Sequence, residues 1–152
     1  LKTYKQIVSE AAEHVSELYP WDVEAIENPD LIILDIREPY EFEAMHIKGS
    51  INVPRGILEQ SCEWDYEETI PKLVCCRNQE IVVACRSGYR SVLAAYTMQI
   101  MGYVNVHSLK TGLRGWNDYE LPMVNIQEQA VDLDTADDYF TSRVREDQMK
   151  PK

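Results

Sequence analysis

An α/β fold is predicted, an open parallel sheet with helices on both faces. Three observations predict it. Residues 31–36 and 80–84 are short, apolar and rich in β-branched side chains, the composition of strands buried on both faces. Each run is followed by a segment of helical pattern, 40–45 and 91–101, the alternation that builds parallel sheets. The chain's 152 residues suit one domain with a sizeable core.

Taken in order, residues 4–18 read as an amphipathic helix, with Tyr4, Ile7, Ala11, Val15 and Leu18 on one face. Tyr19-Pro20 breaks it. Residues 21–27 read as a short second helix, stopped by Asn28-Pro29. The strand at 31–36 follows, then the helix at 40–45 and a short strand at 51–53. Residues 55–77 are the least regular part. A helix is expected from Ile57-Leu58, and the acidic, aromatic insertion at 63–68 is read as packing Trp64 and Tyr66 locally, the alternative being that they line the pocket mouth or a docking surface. The helix at 91–101 carries Val92, Ala95, Tyr96 and Ile100 at helical spacing, and Gly102 stops it. Residues 103–109 give a last strand, and Trp116 begins or sits within a last helix of the domain that runs to Tyr119, closed by Pro122. Beyond it, Leu133, Ala136, Phe140 and Val144 share a helical face. That predicts a C-terminal helix packed on the body or on a second subunit, with residues 148–152 frayed.

Composition narrows the function classes. The apolar fraction, 45%, is ordinary, and no apolar run approaches the about 18 residues of a membrane span. Residues 1–15 lack the apolar stretch of a secretory leader, so a cytoplasmic location is expected. The four cysteines, Cys62, Cys75, Cys76 and Cys85, do not make a disulfide framework in a chain this long. No zinc spacing is present, and no metal is expected. Cys62, Cys75 and Cys76 are read as packing residues. His14, His46 and His107 are read as structural or edge residues. The net charge of −11 argues against nucleic acid and anionic membranes as partners.

The chemistry concentrates in Cys85-Arg86-Ser87-Gly88-Tyr89-Arg90-Ser91. A cysteine stands at the carboxyl end of a buried strand, on a tight turn that opens onto a helix. Ligands of open α/β sheets bind at that end. The unpaired amides of the turn, the helix dipole and two guanidinium groups all favour an anion there. Cys85 is the residue placed to become one, as a nucleophilic thiolate. Gly88 permits a backbone geometry that a side chain would block.

Cys85, Gly88, Arg90 and Ser91 match the Cys-x-x-Gly-x-Arg-Ser/Thr loop, and the chain resembles the rhodanese family of sulfurtransferases. Arg90 stands five positions after Cys85, one residue closer than in the Cys-x5-Arg loop of related phosphatases. In the family the shorter loop goes with sulfane sulfur. Asp35-Ile36-Arg37-Glu38 resembles the family's Asp-Val-Arg-Glu. The resemblance implies that Asp35, Arg37 and Glu38 support the loop, with Asp35 or Glu38 pairing a loop arginine, Asp35 with Arg90 foremost. Residues 46–54 resemble Gly-His-Ile-x-Gly-Ala-x-Asn-x-Pro without its first glycine, where Met45 stands. Residues 109–116 resemble the closing Leu-x-Gly-Gly-x-x-x-Trp, with Thr111 replacing one glycine, and the loop 109–112 is expected to wall the site. The resemblance runs over residues 18–122. It implies five strands, an N-terminal helical extension at 1–17 and a C-terminal one at 123–152.

What it implies of function is transfer of sulfane sulfur from thiosulfate or a low-molecular-weight persulfide to a thiophilic acceptor. A Cys85 persulfide is the intermediate, and no other cofactor is needed. Arg86 is expected to hold anionic donors. The alternative is a sulfur carrier, loaded by a partner protein, with little turnover of small molecules. The acidic charge fits either way: the arginines act locally, within a Debye length of about 8–10 Å, or sulfur moves to and from a protein with a basic docking face.

Overall fold

The computed structural model describes all residues, 1–152. Five parallel strands form one sheet in the order β1-β5-β4-β2-β3. They are β1 (Ser16–Leu18), β2 (Ile32–Asp35), β3 (Ile51–Asn52), β4 (Ile81–Ala84) and β5 (Val106–Leu109). The predicted fold class is the observed one.

β4 is central and buried at every position. Its alternation feeds two layers. Ile81, Val83 and Cys85 join the core under α4 (Leu58–Ser61), α5 (Pro71–Cys75) and α6 (Tyr89–Ile100), with Leu58, Leu73, Ala94 and Met98 facing them. Val82 and Ala84 join the opposite core, built from α2 (Pro20–Glu24), α7 (Gly112–Asp118) and α8 (Leu133–Tyr139) through Val23, Leu113, Trp116 and Ala136. α1 (Tyr4–Ala12) lies outside the first layer, packing Val8 and Ala11 on Val92 of α6. α3 (Pro39–Ala44) follows β2.

The predicted helix at 4–18 ends at Ala12, and residues 16–18 become β1. Ser16 and Leu18 pair with His107 and Leu109, and Lys110 N–H donates to the Leu18 carbonyl at 2.8 Å. Val15 and Ser16 hold a helix weakly, while the open edge of β5 offers partners to the backbone groups that face it. A boundary drawn between residues 17 and 18 therefore cuts a strand. The last helix of the domain runs from Gly112 to Asp118, with Trp116 inside it as expected. The C-terminal helix stops at Tyr139, so Phe140 caps it as a buried residue and Val144 is exposed. The insertion does not pack its aromatic residues: Trp64 and Tyr66 are both exposed.

The C-terminal segment is tied to the body. Val124 bridges to His46 and to Ala130, and Asn117 Nδ2 donates to Asp137 Oδ1 at 2.6 Å. Phe140 fills the second core beside Met45.

Candidate active site

β4 ends at Ala84, and Cys85 begins the turn that becomes α6. Gly88, at φ +90°, caps that helix in the left-handed region, where a side chain would be strained. The turn folds back on Cys85. Gly88 N–H donates to Sγ at 3.1 Å and Ser91 N–H at 3.4 Å. The thiol lies 3.3 Å from Ser91 Oγ, which sits 2.7 Å from Ser108 Oγ on β5. Of the loop's amides, these two reach the sulfur. Ser108, fully buried, is a site residue that the sequence reading missed; a polar side chain on an inward-facing strand position was the available signal.

A second loop braces the first. Leu113 N–H donates to the Cys85 carbonyl at 2.8 Å and Arg114 N–H to the Arg86 carbonyl at 3.0 Å. The approach is tight enough to demand glycine at Gly112 (φ +64°): a Cβ there would stand 2.5 Å from the Arg86 carbonyl. The expected wall at 109–112 is therefore in contact with the loop. Thr111, replacing the family's glycine, is held at φ +70°, a left-handed conformation uncommon for its type.

The predicted pairing of Asp35 with Arg90 does not form. Asp35 turns instead to Arg37, with Oδ2–Nη2 2.8 Å and Oδ1–Nε 3.0 Å, both groups almost wholly buried. Arg37 Nη2 also donates to the Met45 carbonyl at 2.6 Å, while its Nη1 has no partner. Two residues of spacing at the end of β2 let the pair close on itself before either side chain can reach the loop. Glu38 caps α3 and meets no loop arginine. The carboxylate that does is Glu41, one helical turn into α3. It takes the Arg90 guanidinium as a fork, Oε1–Nη1 2.9 Å and Oε2–Nη2 3.0 Å. Burial pushes the Glu41 carboxyl up, but the Arg90 hydrogen bond and charge outweigh it and hold it below the ordinary range. In return the Glu41 hydrogen bond raises Arg90. Sequence reasoning missed Glu41 because the motif drew attention to Asp35 and Glu38.

Arg86 Nη2 donates to the Phe140 carbonyl at 2.9 Å. Ser87 and Tyr89 are exposed, and Tyr89 meets the Tyr4 ring edge-on at 5.8 Å. Burial raises the Tyr4 phenol and the Cys85 charge raises it further, against Arg90 and Arg55. Tyr4 of α1 thus stands over the loop, and Cys85 itself has no exposed surface.

A model of the rhodanese-like domain family matches residues 21–119. The chain belongs to the rhodanese-like family. Among its rhodanese-like relatives is the putative sulfur carrier protein YrkF of Bacillus subtilis, 37% identical over 86 residues, covering 57% of this chain and 41% of that one. A sulfurtransferase of Allochromatium vinosum is 33% identical over 96 residues, covering 62% and 79%. The matches span less than two thirds of the length of several curated relatives. In three dimensions the chain is similar to a Rhodopseudomonas palustris protein of unknown function, a possible tyrosine phosphatase. That likeness has a TM-score of 0.73 and 31% identity over 80% of this chain and 94% of that one. The family resemblance drawn from the loop is borne out, and relatives in this family are named both sulfurtransferases and sulfur carriers.

Proposed function

We propose that this rhodanese-like chain is a sulfurtransferase that moves sulfane sulfur from thiosulfate or a low-molecular-weight persulfide to a thiophilic acceptor through a persulfide on Cys85. One observation carries the reading: Sγ accepts the amides of Gly88 and Ser91 inside the turn that opens the twelve-residue α6. Those amides and the helix dipole favour sulfur as an anion, the form that attacks. The thiolate takes the outer sulfur of the donor, and the donor's S–S or S–SO3 bond breaks with its electron pair. Sulfite leaves from thiosulfate, or a thiol from an organic persulfide once the leaving sulfur takes up the persulfide's proton. Cys85 keeps the sulfur, cradled by the same amides. A nucleophile such as cyanide or a thiolate then removes it and restores Cys85, in a ping-pong cycle that calls for no metal or organic cofactor. Because Cys85 has no exposed surface, entry of the donor requires side chains around the loop to move aside.

The test pairs thiosulfate–cyanide turnover with intact mass of the wild type and Cys85→Ser. Turnover, with gain of one sulfur atom in the wild type alone, is expected. Absence of both, with Cys85 reduced and the chain folded, would overturn the proposal. A carrier reading is favoured by the likeness to YrkF; it predicts a persulfide without small-molecule turnover. Hydrolysis of an aryl phosphate would instead favour a phosphatase, against which the short spacing from Cys85 to Arg90 speaks.

A further inference from the structure

Ser108 places a hydroxyl in an apolar layer. The parallel register sets it beside Val83 of β4. Two residues earlier on the same face of β5, Val106 joins the core under α6, as Val83 and Cys85 do. A hydroxyl in such a layer is costly unless it is hydrogen-bonded. Its partner is Ser91 Oγ at 2.7 Å, and Ser91 Oγ in turn lies 3.3 Å from Cys85 Sγ. Cys85, Ser91 and Ser108 have no exposed surface. The three side chains form one buried string that leads from β5 to the sulfur.

The string can run in two directions. Run from the sulfur, the thiol donates to Ser91 Oγ and Ser91 donates to Ser108 Oγ. The Ser108 proton then ends in the apolar layer, because its hydroxyl meets no protein group but Ser91. Run towards the sulfur, Ser108 donates to Ser91 Oγ and Ser91 donates to Sγ. Both hydroxyl protons are then placed, and the sulfur gains a third donor beside the amides of Gly88 and Ser91. Three donors suit an anion, since a neutral thiol is a weak acceptor.

We infer that Ser108 is a positioning residue for the Cys85 nucleophile: its hydroxyl turns the Ser91 proton onto Sγ and favours the sulfur as a thiolate. On ionisation the thiol proton passes to water and the two hydroxyls rotate into the second direction. The same donors meet the sulfur when it leaves the persulfide. There an acceptor's lone pair bonds the outer sulfur, the S–S bond breaks, and its electron pair returns to Sγ. This second role rests on the sulfurtransferase reading; the first rests on the string alone. The charged and titratable groups around Cys85 are Arg90 with its Glu41, Tyr4 of α1 with Arg55 near it, and the Asp35–Arg37 pair after β2. His107 of β5 turns to Ser16 and Glu80 instead. Loss of an uncharged hydroxyl leaves all of these in place.

The test is a double-mutant cycle of Ser108→Ala and Ser91→Ala, read in two ways. Thiolate absorbance is titrated against pH, with the Cys85→Ser counterpart of each variant subtracted to remove the other three cysteines. Loading by thiosulfate and discharge of the persulfide by cyanide are timed separately by mass. At the wild-type midpoint, Ser108→Ala is expected to lower the ionised fraction by about two- to fivefold, and to slow discharge by a similar factor. Loading at a pH where both proteins are fully ionised stays within about twofold, since a more basic thiolate is also the better nucleophile. In the Ser91→Ala background, Ser108→Ala is expected to move neither reading. An unchanged titration in Ser108→Ala, or an equal shift with and without Ser91, would overturn the inference. A wild type that takes up no sulfur would sink the sulfurtransferase reading instead, and the absorbance cycle would still decide the role of Ser108.

Discussion

Burial raises the Glu41 carboxyl, yet the Arg90 fork holds it below an unfolded value of about 4.3. A carboxyl depressed on folding adds stability that is present above the unfolded value and lost as pH falls through the folded one. Glu41→Gln removes the charge but keeps the shape, leaving Arg90 two-thirds buried without its counter-ion. Urea unfolding at neutral pH is expected to show a loss of about 2–4 kcal/mol. The gap between variant and wild type narrows as pH drops below about 4, where the wild-type carboxyl also takes a proton. A gap that stays constant to low pH would mean the pair does not hold the loop electrostatically. At this scale the sequence showed that an arginine in the loop needs a carboxylate. It did not show which, because Asp35, Glu38 and Glu41 lie within seven residues and only the turn after β2 and the pitch of α3 decide among them.

β1 and the C-terminal arm both lie outside the matched residues 21–119 and add to the domain in different ways. β1 completes the sheet by offering three residues to the edge of β5. The arm completes the site by anchoring Phe140 in the second core, so that its carbonyl meets Arg86. Phe140→Ala is expected to lower stability by about 3–5 kcal/mol, read from thermal or denaturant unfolding. A loss under about 1 kcal/mol, the size expected of a surface change, would make the arm a loose appendage. Element identity was legible where the period was clear: β2, β4 and α6 were placed within a residue or two. β1 was not, because three residues carry too little pattern to oppose a helical reading that runs into them.

The whole molecule carries a charge of −11, against which any anionic donor must approach. The arginines of the site act over one Debye length, which is about 30 Å in 0.01 M salt and about 8 Å in 0.15 M. Thiosulfate loading of Cys85, followed by rapid-quench mass spectrometry, is therefore expected to rise a few-fold across about that range of salt. Delivery to a basic protein acceptor is expected to fall over the same range. Loading that is fast and unmoved by salt would show that long-range charge does not limit it. No helix of the molecule is long and apolar enough to cross a membrane.

The fold class, the central strand and the cysteine turn were determined by the sequence alone. Their causes are local: β-branched runs buried on both faces, a glycine able to adopt positive φ, and amides left free where a strand gives way to a helix. Tertiary structure alone decided which carboxylate holds Arg90, that Ser108 backs Ser91, that residues 16–18 close the sheet, and that the arm meets the loop at Arg86. Each of these is a contact between residues distant along the chain or poised among equivalent neighbours. Such contacts are fixed by packing geometry, and a linear pattern does not encode which of several similar groups that geometry brings into reach.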